Sequence, residues 1–360
     1  MAVGNWNELF PTKWSFAIFI AYMALFINQG IMVTASQSSN YSYSYNTVTV
    51  VLLTEAAKLI ASSLLYFKDH NFLTFCKEMK IHVKVLVLYM VPAILYCLYN
   101  NLAFVNLAAF DPTTYFLLLQ LRVVVTGIVF QIVFKKQLSK RQWLSLLILT
   151  IGCIVKQLST TEKVAPTAET ASEAKSFWSH ILSLHFGLLM VQVLSSCLAG
   201  VYNEKLLKDT GAEVPIMLQN IFMYIDSILC NGVYLASRGE LLSAFTSAAL
   251  LEIGKPAVVV IILNNAAVGI VTSLFLRNLN SILKTFASAL ELMFTAVLSW
   301  VIFGIPVGWW TVLAIFLVSF ATWMYSQNPV VNRGRLDEVE KDHDSEGEER
   351  RLIDRSPSKV

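Results

Sequence analysis

The sequence contains few charged residues. Only 14% of its 360 residues are Asp, Glu, Lys or Arg, whereas a soluble domain carries about 25%. Hydrophobic residues make up 56% of the chain, and the mean hydropathy is +0.60. This scarcity excludes an ordinary soluble domain and gives no basis for a nucleic-acid partner. The chain is therefore predicted to be an integral protein of the lipid bilayer.

Residues for metal, redox or acid–base chemistry are also few. The five cysteines form no CxxC pair, which argues against a disulfide framework or a zinc site. Among the five histidines, the nearest pair is His180 and His185, and no carboxylate lies close to it in the sequence. A membrane-embedded glycosyl- or acyltransferase would need a general base or a metal cluster. We therefore predict no enzyme activity, no metal and no cofactor.

Long apolar runs recur along the whole chain. A membrane-spanning helix needs about 20 mostly apolar residues, and ten segments meet this requirement. They are 15–36, 47–67, 84–108, 112–134, 142–158, 179–203, 214–237, 256–276, 280–303 and 307–326. The predicted fold is therefore an all-α membrane protein with ten transmembrane helices.

The cations of the short loops predict the orientation of these helices. Lys and Arg collect after the second, fourth and sixth segments, at Lys68, Lys77, Lys80, Lys84, Lys135, Lys136, Lys140, Arg141, Lys205 and Lys208. The 37–46 and 109–111 loops on the other side have none. Because cytosolic loops carry the excess of Lys and Arg, and because ten is even, both termini are predicted to be cytosolic.

A weak internal repeat divides the chain into two halves. Asn100 and Asn101 precede Arg122 by 21–22 residues, and Asn264 and Asn265 precede Lys284 by 19–20 residues. With five spans in each half, such repeats must have inverted topology. The predicted organisation is a cytosolic segment 1–14, a first repeat 15–158, a lumenal linker 159–178, a second repeat 179–326 and a disordered cytosolic tail 327–360.

Charged residues inside the predicted spans indicate a polar cavity. Lys58, Arg122 and Lys284 lie within spans and Arg277 lies near an interface, together with the anions Glu55, Asp226 and Glu291. A cation at the centre of a span costs roughly 2.5–3.5 kcal/mol on insertion scales, so it normally faces a bundle interior or a watered cavity. Glu55 is three residues before Lys58, on the same helical face.

Two interpretations of these charges stay open at this point. Asp226 and Glu291 could neutralise Arg122 and Lys284 and leave only a polar bundle core. Alternatively, the cations, phenols and amides could bind a solute with phosphate, an aromatic base and many hydroxyl groups. The guanidinium group of Arg can form bidentate hydrogen bonds with phosphate, and the ammonium group of Lys provides a point charge. The amides of Asn and Gln can recognise base edges or sugar hydroxyls.

Several segments resemble the nucleotide-sugar transporter family, in the branch that carries CMP-sialate, UDP-galactose and UDP-N-acetylglucosamine. They are TEAAKL at 54–59, NNLAF at 100–104, QLR at 120–122, AGVYNEK at 199–205, NIFMY at 220–224 and NSILK at 280–284. The resemblance implies a drug/metabolite-transporter fold in a Golgi membrane, or alternatively an ER one; an endosomal or lysosomal membrane is the alternative if the tail carries a sorting signal. It also implies exchange of a cytosolic nucleotide sugar, with UDP-galactose as first choice, for lumenal nucleoside monophosphate by alternating access.

The resemblance also assigns expected roles to residues. Lys58 with its companion Glu55, the amides Asn100, Asn101 and Asn220, the aromatic residues Tyr115 and Tyr224, and the cations Arg122, Arg277 and Lys284 are expected to bind substrate. Arg122 and Arg277 stand where the family usually has Lys, which leaves the particular substrate open. Asp226 and Glu291 have no evident counterpart and are treated as possible charge partners.

Two signals outside the spans complete the prediction. Asn40 begins a glycosylation sequon in the 37–46 loop. In the tail, Glu348, Leu352 and Ile353 resemble an acidic dileucine sorting signal, which would recruit sorting adaptors. The alternative function is a non-transporting membrane scaffold or regulator that works through this tail.

Overall fold

The computed structural model describes residues 6–36, 47–110, 112–161, 184–239, 245–246, 254–304 and 307–332. Most of these residues are helical, the rest lie in turns, bends and irregular segments such as 135–139 and 329–332, and none of them is in a β-strand. Asn40, Glu348, Leu352 and Ile353 lie outside the described residues, so the predictions of glycosylation and sorting stay predictions.

Thirteen α-helices and one π-helical turn are found in the described ranges. The first seven helices are α1 Trp6–Leu9, α2 Lys13–Ser36, α3 Thr47–Phe67, α4 Phe72–Ile81, α5 Val83–Ala109, α6 Pro112–Leu119 and α7 Arg122–Phe134. The others are α8 Lys140–Thr161, α9 Leu184–Lys205, α10 Ile216–Ser237, α11 Pro256–Asn278, α12 Ser281–Phe303 and α13 Trp309–Ser326. The π-helical turn Leu206–Thr210 extends α9.

Eight helical segments of the described chain are long and apolar enough to cross a membrane. They are α3, α5, the α6–α7 pair and each helix from α9 to α13. These segments confirm an all-α membrane protein. The predicted first and fifth spans coincide with α2 and α8, which are not among the eight. The loop predicted after the second span contains the short helix α4.

The fourth predicted span is not one continuous helix. It is interrupted at Gln120 and Leu121, whose amides donate to carbonyls three residues earlier, over 3.1 Å each. Such i to i+3 bonds tighten the chain locally and turn the following helix about its axis. Arg122 is therefore the first residue of α7, and its carbonyl accepts a 2.7 Å hydrogen bond from Thr126 Oγ1.

Aromatic packing fixes the rotation of α12. Phe286 is fully buried and stacks on Tyr325 of α13, with ring centroids 4.3 Å apart. Residues two positions apart point in nearly opposite directions on a helix. Lys284 and Ser288 are therefore directed away from this aromatic pair, toward α7 and α9.

Helices α8 and α13 pack closely at Gly152. A Cβ atom at this position would lie 2.9 Å from Val318 Cγ2 and 3.3 Å from Val318 N. The backbone of α13 leaves no room for a larger side chain. We expect Gly152→Val to lower the stability of the protein by about 1–3 kcal/mol, as is usual for overpacking.

The melting temperature of the protein in detergent measures this effect. Gly187→Val is the matched control, because no atom lies within 4 Å of a Cβ built at Gly187. Equal melting temperatures for the two variants would contradict the close approach of α8 and α13.

Candidate functional site

Two cavities with charged and polar side chains in their walls lie between helices of the described residues. The first has a volume of about 120 Å³ and is lined by α5, α7, α8, α9 and α12; it is called here the Arg122 cavity. The second has a volume of about 270 Å³, lies between α3, α5, α9, α10 and α11, and is called the Lys58 cavity. Tyr96 of α5 lines both cavities. The two cavities are therefore neighbours that share one phenol.

The Lys58 cavity contains an ion pair. Lys58 Nζ lies 2.7 Å from Glu55 Oε1, which confirms the predicted pairing on one face of α3. The same ammonium group lies 5.6 Å from the centroid of the Tyr224 ring, within the range of a cation–π contact. Glu55 and Tyr224 thus hold Lys58 at the cavity wall.

Amides and hydroxyls surround this ion pair. The cavity is lined by Asn100, Asn203, Asn220, Ser227, Asn231, Thr272 and Ser273. Amide side chains offer both donors and acceptors, and hydroxyls can do the same. The wall can therefore hydrogen-bond a heterocyclic base or a ribose, while Tyr96 and Tyr224 provide aromatic surface.

The Arg122 cavity carries two cations. Arg122 of α7 and Lys284 of α12 both line it, together with the hydroxyl groups of Thr126, Ser281, Thr285 and Ser288. Among the described residues, the ion pairs within 4.0 Å are Glu55–Lys58 and Glu204–Lys208. Neither cation of this cavity is therefore bridged by a carboxylate within the described chain, and the arrangement suits an anionic ligand.

Asp226 and Glu291 do not neutralise the two cations by direct contact. Neither residue lines either cavity. Among the described residues, no ion pair within 4.0 Å joins either carboxylate to Arg122 or Lys284. Asp226 is 3% exposed, and its Oδ2 atom accepts no hydrogen bond from the described residues. Of the two interpretations of the buried charges, the geometry favours the binding site.

Three of the predicted substrate contacts lie outside both cavities. Asn101 Nδ2 donates to Cys97 O of its own helix over 2.7 Å. Tyr115 is buried, and its hydroxyl accepts a 2.9 Å hydrogen bond from Gln192 Nε2. Arg277 Nη1 donates to the Val214 carbonyl over 3.4 Å. The structure brings the other seven predicted residues to the cavities, namely Glu55, Lys58, Asn100, Arg122, Asn220, Tyr224 and Lys284.

The sequence-based prediction missed several lining residues. Tyr96, shared by the two cavities, lies one turn before Asn100 on α5 and could have been found from that spacing. Gly269 was missed because glycine carries no chemical signal. A Cβ atom at Gly269 would lie 2.7 Å from Lys58 Cε, so the lysine stem fills the space that this glycine leaves open.

Half-buried cations and amides that line cavities within a helical membrane bundle are typical of a transporter of polar solutes. Residues 14–326 match the family described as nucleotide-sugar transporter. The chain therefore belongs to the nucleotide-sugar transporter family, as its sequence motifs predicted. Membership in this family also confirms the prediction of a transporter and not an enzyme.

Individual relatives cover most of the chain. A Drosophila melanogaster protein named UDP-galactose transporter senju is 57% identical over 353 residues, which are 92% of this chain and 91% of the relative. A protein of Oryza sativa subsp. japonica named CMP-sialic acid transporter 1 is 28% identical over 305 residues, which are 83% of this chain and 89% of the relative. One solved crystal structure superposes with a TM-score of 0.55 at 10% identity, covering 86% of this chain and 97% of its own. This last similarity concerns the fold alone.

Proposed function

We propose that this protein carries UDP-galactose from the cytosol into the lumen of a Golgi membrane compartment, in exchange for a nucleoside monophosphate. The observation that carries the proposal is the pair of unbridged cations, Arg122 and Lys284, beside a cavity rich in amides and phenols. The 57% identical relative named as a UDP-galactose transporter supports this choice of sugar. Alternating access is the mechanism by which a site buried in the bundle would serve both sides.

Each cavity receives one part of the substrate in this proposal. Arg122 supplies a guanidinium fork and Lys284 a point charge for the diphosphate. Lys58, Asn100, Asn220 and Tyr224 bind the uridine, and Glu55 keeps Lys58 in place. Tyr96 lies where the two parts join. Asn101, Tyr115 and Arg277, which line neither cavity, are given no direct contact in this arrangement.

The topology completes the proposal. We propose ten spans, with α2 and α8 added to the eight qualifying segments, in two inverted five-helix halves. Both termini would be cytosolic, since the cations after the second and fourth spans lie on the same side as the termini. In this proposal the lumenal linker follows α8, which ends at Thr161 and not at residue 158, and the cytosolic tail begins with residues 327–332, which pack against the bundle and are not disordered as predicted.

Exchange in proteoliposomes tests the function. Purified protein is reconstituted with or without internal UMP, and uptake of labelled UDP-galactose is followed, with CMP-sialate and UDP-N-acetylglucosamine as competitors. We expect uptake that requires internal UMP and that unlabelled UDP-galactose suppresses best. Correctly folded protein that exchanges no nucleotide sugar would contradict the proposal and favour the scaffold function.

A further inference from the structure

A fully buried carboxylate lies at one end of the bundle, outside the two cavities. Glu204, near the end of α9, is 0% exposed. It accepts hydrogen bonds from Lys208 Nζ over 3.1 Å, from Asn332 Nδ2 over 2.6 Å and from the Ser281 backbone N–H over 2.7 Å. A single side chain therefore joins α9, the first residue of α12 and the segment that follows α13.

Lys208 reinforces the same junction. It is 2% exposed, although its position after the sixth span makes it one of the loop cations in the sequence. Its Nζ atom also donates to the carbonyls of Leu279 and Asn332. The ion pair thus binds both the α11–α12 turn and Asn332.

The segment 327–332, called here the C-terminal strap, is held at several points. Asn280 Nδ2 donates to Val330 O over 2.9 Å, and Lys136 Nζ donates to Asn332 Oδ1 over 2.9 Å. Nearer α13, Asn328 Nδ2 donates to Ser139 Oγ over 3.1 Å. The strap therefore crosses from α13 toward the ends of α7, α9 and α11.

The junction is directly connected to the Arg122 cavity. The residue whose amide Glu204 holds, Ser281, also lines that cavity, and Lys284 is one turn further along α12. On the facing helix, Gly200 lines the cavity one turn before Glu204. Glu204 and Lys208 are excluded from water, so the contact between α9 and α12 next to this part of the cavity wall is buried.

We propose that the C-terminal strap is a latch, which closes the predicted cytosolic end of the transporter through Asn332 and the Glu204–Lys208 pair. Glu204 then acts as a positioning residue that holds the start of α12, and with it Lys284, against α9. Opening this end requires Ser281 to leave Glu204. Release of Asn332 removes one of the hydrogen bonds that the buried Glu204 carboxylate accepts, and hydrogen bonds to a charged group are strong, so the junction would weaken. The inference rests on the proposed transport by alternating access.

The variant Asn332→Ala tests the latch without leaving a buried charge unpaired, as Glu204→Ala would. Hydrogen exchange of the full-length protein in detergent is measured by mass spectrometry for peptides covering 279–284 and 327–332. A hydrogen bond to a charged group contributes enough to change an opening equilibrium by about ten-fold. We expect both peptides to exchange about ten-fold faster in the variant, because they open together.

Asn328→Ala is the matched control in the same segment. It removes one hydrogen bond to Ser139 and leaves the contacts of Glu204 in place. We expect this variant to show faster hydrogen exchange in the 327–332 peptide only. Unchanged exchange of 279–284 in Asn332→Ala, or equal effects of the two variants, would overturn the latch.

A transport measurement distinguishes a latch that opens during transport from a contact that only stabilises the fold. In sealed Golgi vesicles, whose outer face is cytosolic, a weaker latch populates the state that is open to this side. The apparent KM for external UDP-galactose should then fall at least three-fold in Asn332→Ala and stay unchanged in Asn328→Ala. An unchanged or higher KM would reject the latch. Absence of transport in the wild type would instead reject the proposed function. The hydrogen-exchange measurement would still show whether the strap and residues 279–284 open together.

Discussion

Replacing either cation of the Arg122 cavity should strongly reduce nucleotide exchange while leaving the protein folded. We expect Arg122→Ala and Lys284→Ala each to reduce UDP-galactose exchange at least ten-fold and by up to about 150-fold, the loss of a charge-assisted contact of roughly 1.5–3 kcal/mol. The cause is the loss of a donor to the diphosphate. Initial rates in UMP-loaded proteoliposomes measure the effect.

The folding stability of Arg122→Ala and Lys284→Ala should not fall together with their activity. No carboxylate of the described chain bridges either cation within 4.0 Å, so each substitution removes a charge that the bilayer tolerates poorly. The melting temperature in detergent should therefore be unchanged or higher. A residue that served only to hold helices together would lose stability and activity in parallel.

Arg141→Ala is the control for loss of an arginine. Arg141 is exposed at the start of α8 and lines neither cavity, so its removal should leave the exchange rate close to wild type. Arg122→Lys separates charge from geometry, since lysine keeps the charge and loses the bidentate fork. Normal exchange by Arg122→Ala would show that the guanidinium does not contact the phosphate.

Gly269→Ala should damage the site from a position that carries no functional group. The added Cβ would lie 2.7 Å from Lys58 Cε and 3.2 Å from Tyr224 Oη. The lysine stem would have to move, and its ammonium would lose either the 2.7 Å contact with Glu55 or its place in the cavity. We expect exchange to fall about ten-fold, because a hydrogen bond to a charged group is worth roughly 1.5–3 kcal/mol.

The stability of this variant should change little. The displaced atoms are the far end of a flexible side chain, and alanine is favoured over glycine in a helix by roughly 0.5–1 kcal/mol. Gly232→Ala on α10 is the matched control, since no atom lies within 4 Å of its added Cβ. Transport by Gly269→Ala at the rate of Gly232→Ala would show that the position of Lys58 is not critical.

The sequence predicted the parts of this molecule that depend on local spacing. Apolar run length identifies the spanning helices, and the three-residue spacing of Glu55 and Lys58 predicts their ion pair. Family motifs identify seven residues that line the cavities. The spanning helices and the ion pair follow from composition and helix geometry, which packing against neighbouring helices changes little, whereas the seven cavity residues follow from the resemblance to the family.

The features that depend on packing between helices were not predictable in this way. Tyr115 was expected to contact substrate, but its hydroxyl is occupied by Gln192 of α9. The break before Arg122 has no Pro or Gly to indicate it; it is accompanied by hydrogen bonds from Thr126 and Cys197 to the Arg122 carbonyl. Lys208 was assigned to a loop because its partner, Glu204, is recruited from the preceding helix and completed by Asn332.

The position of Tyr96 between two cavities has a consequence for selectivity. A ligand that spans both cavities binds its second half at a high effective concentration once the first half is in place. Free phosphate or free uridine fills one cavity only and gains no such advantage. Under the proposed exchange, a carrier built in this way would bind intact nucleotides in preference to their fragments, and breakdown products in the lumen would compete poorly with the counter-transported nucleotide.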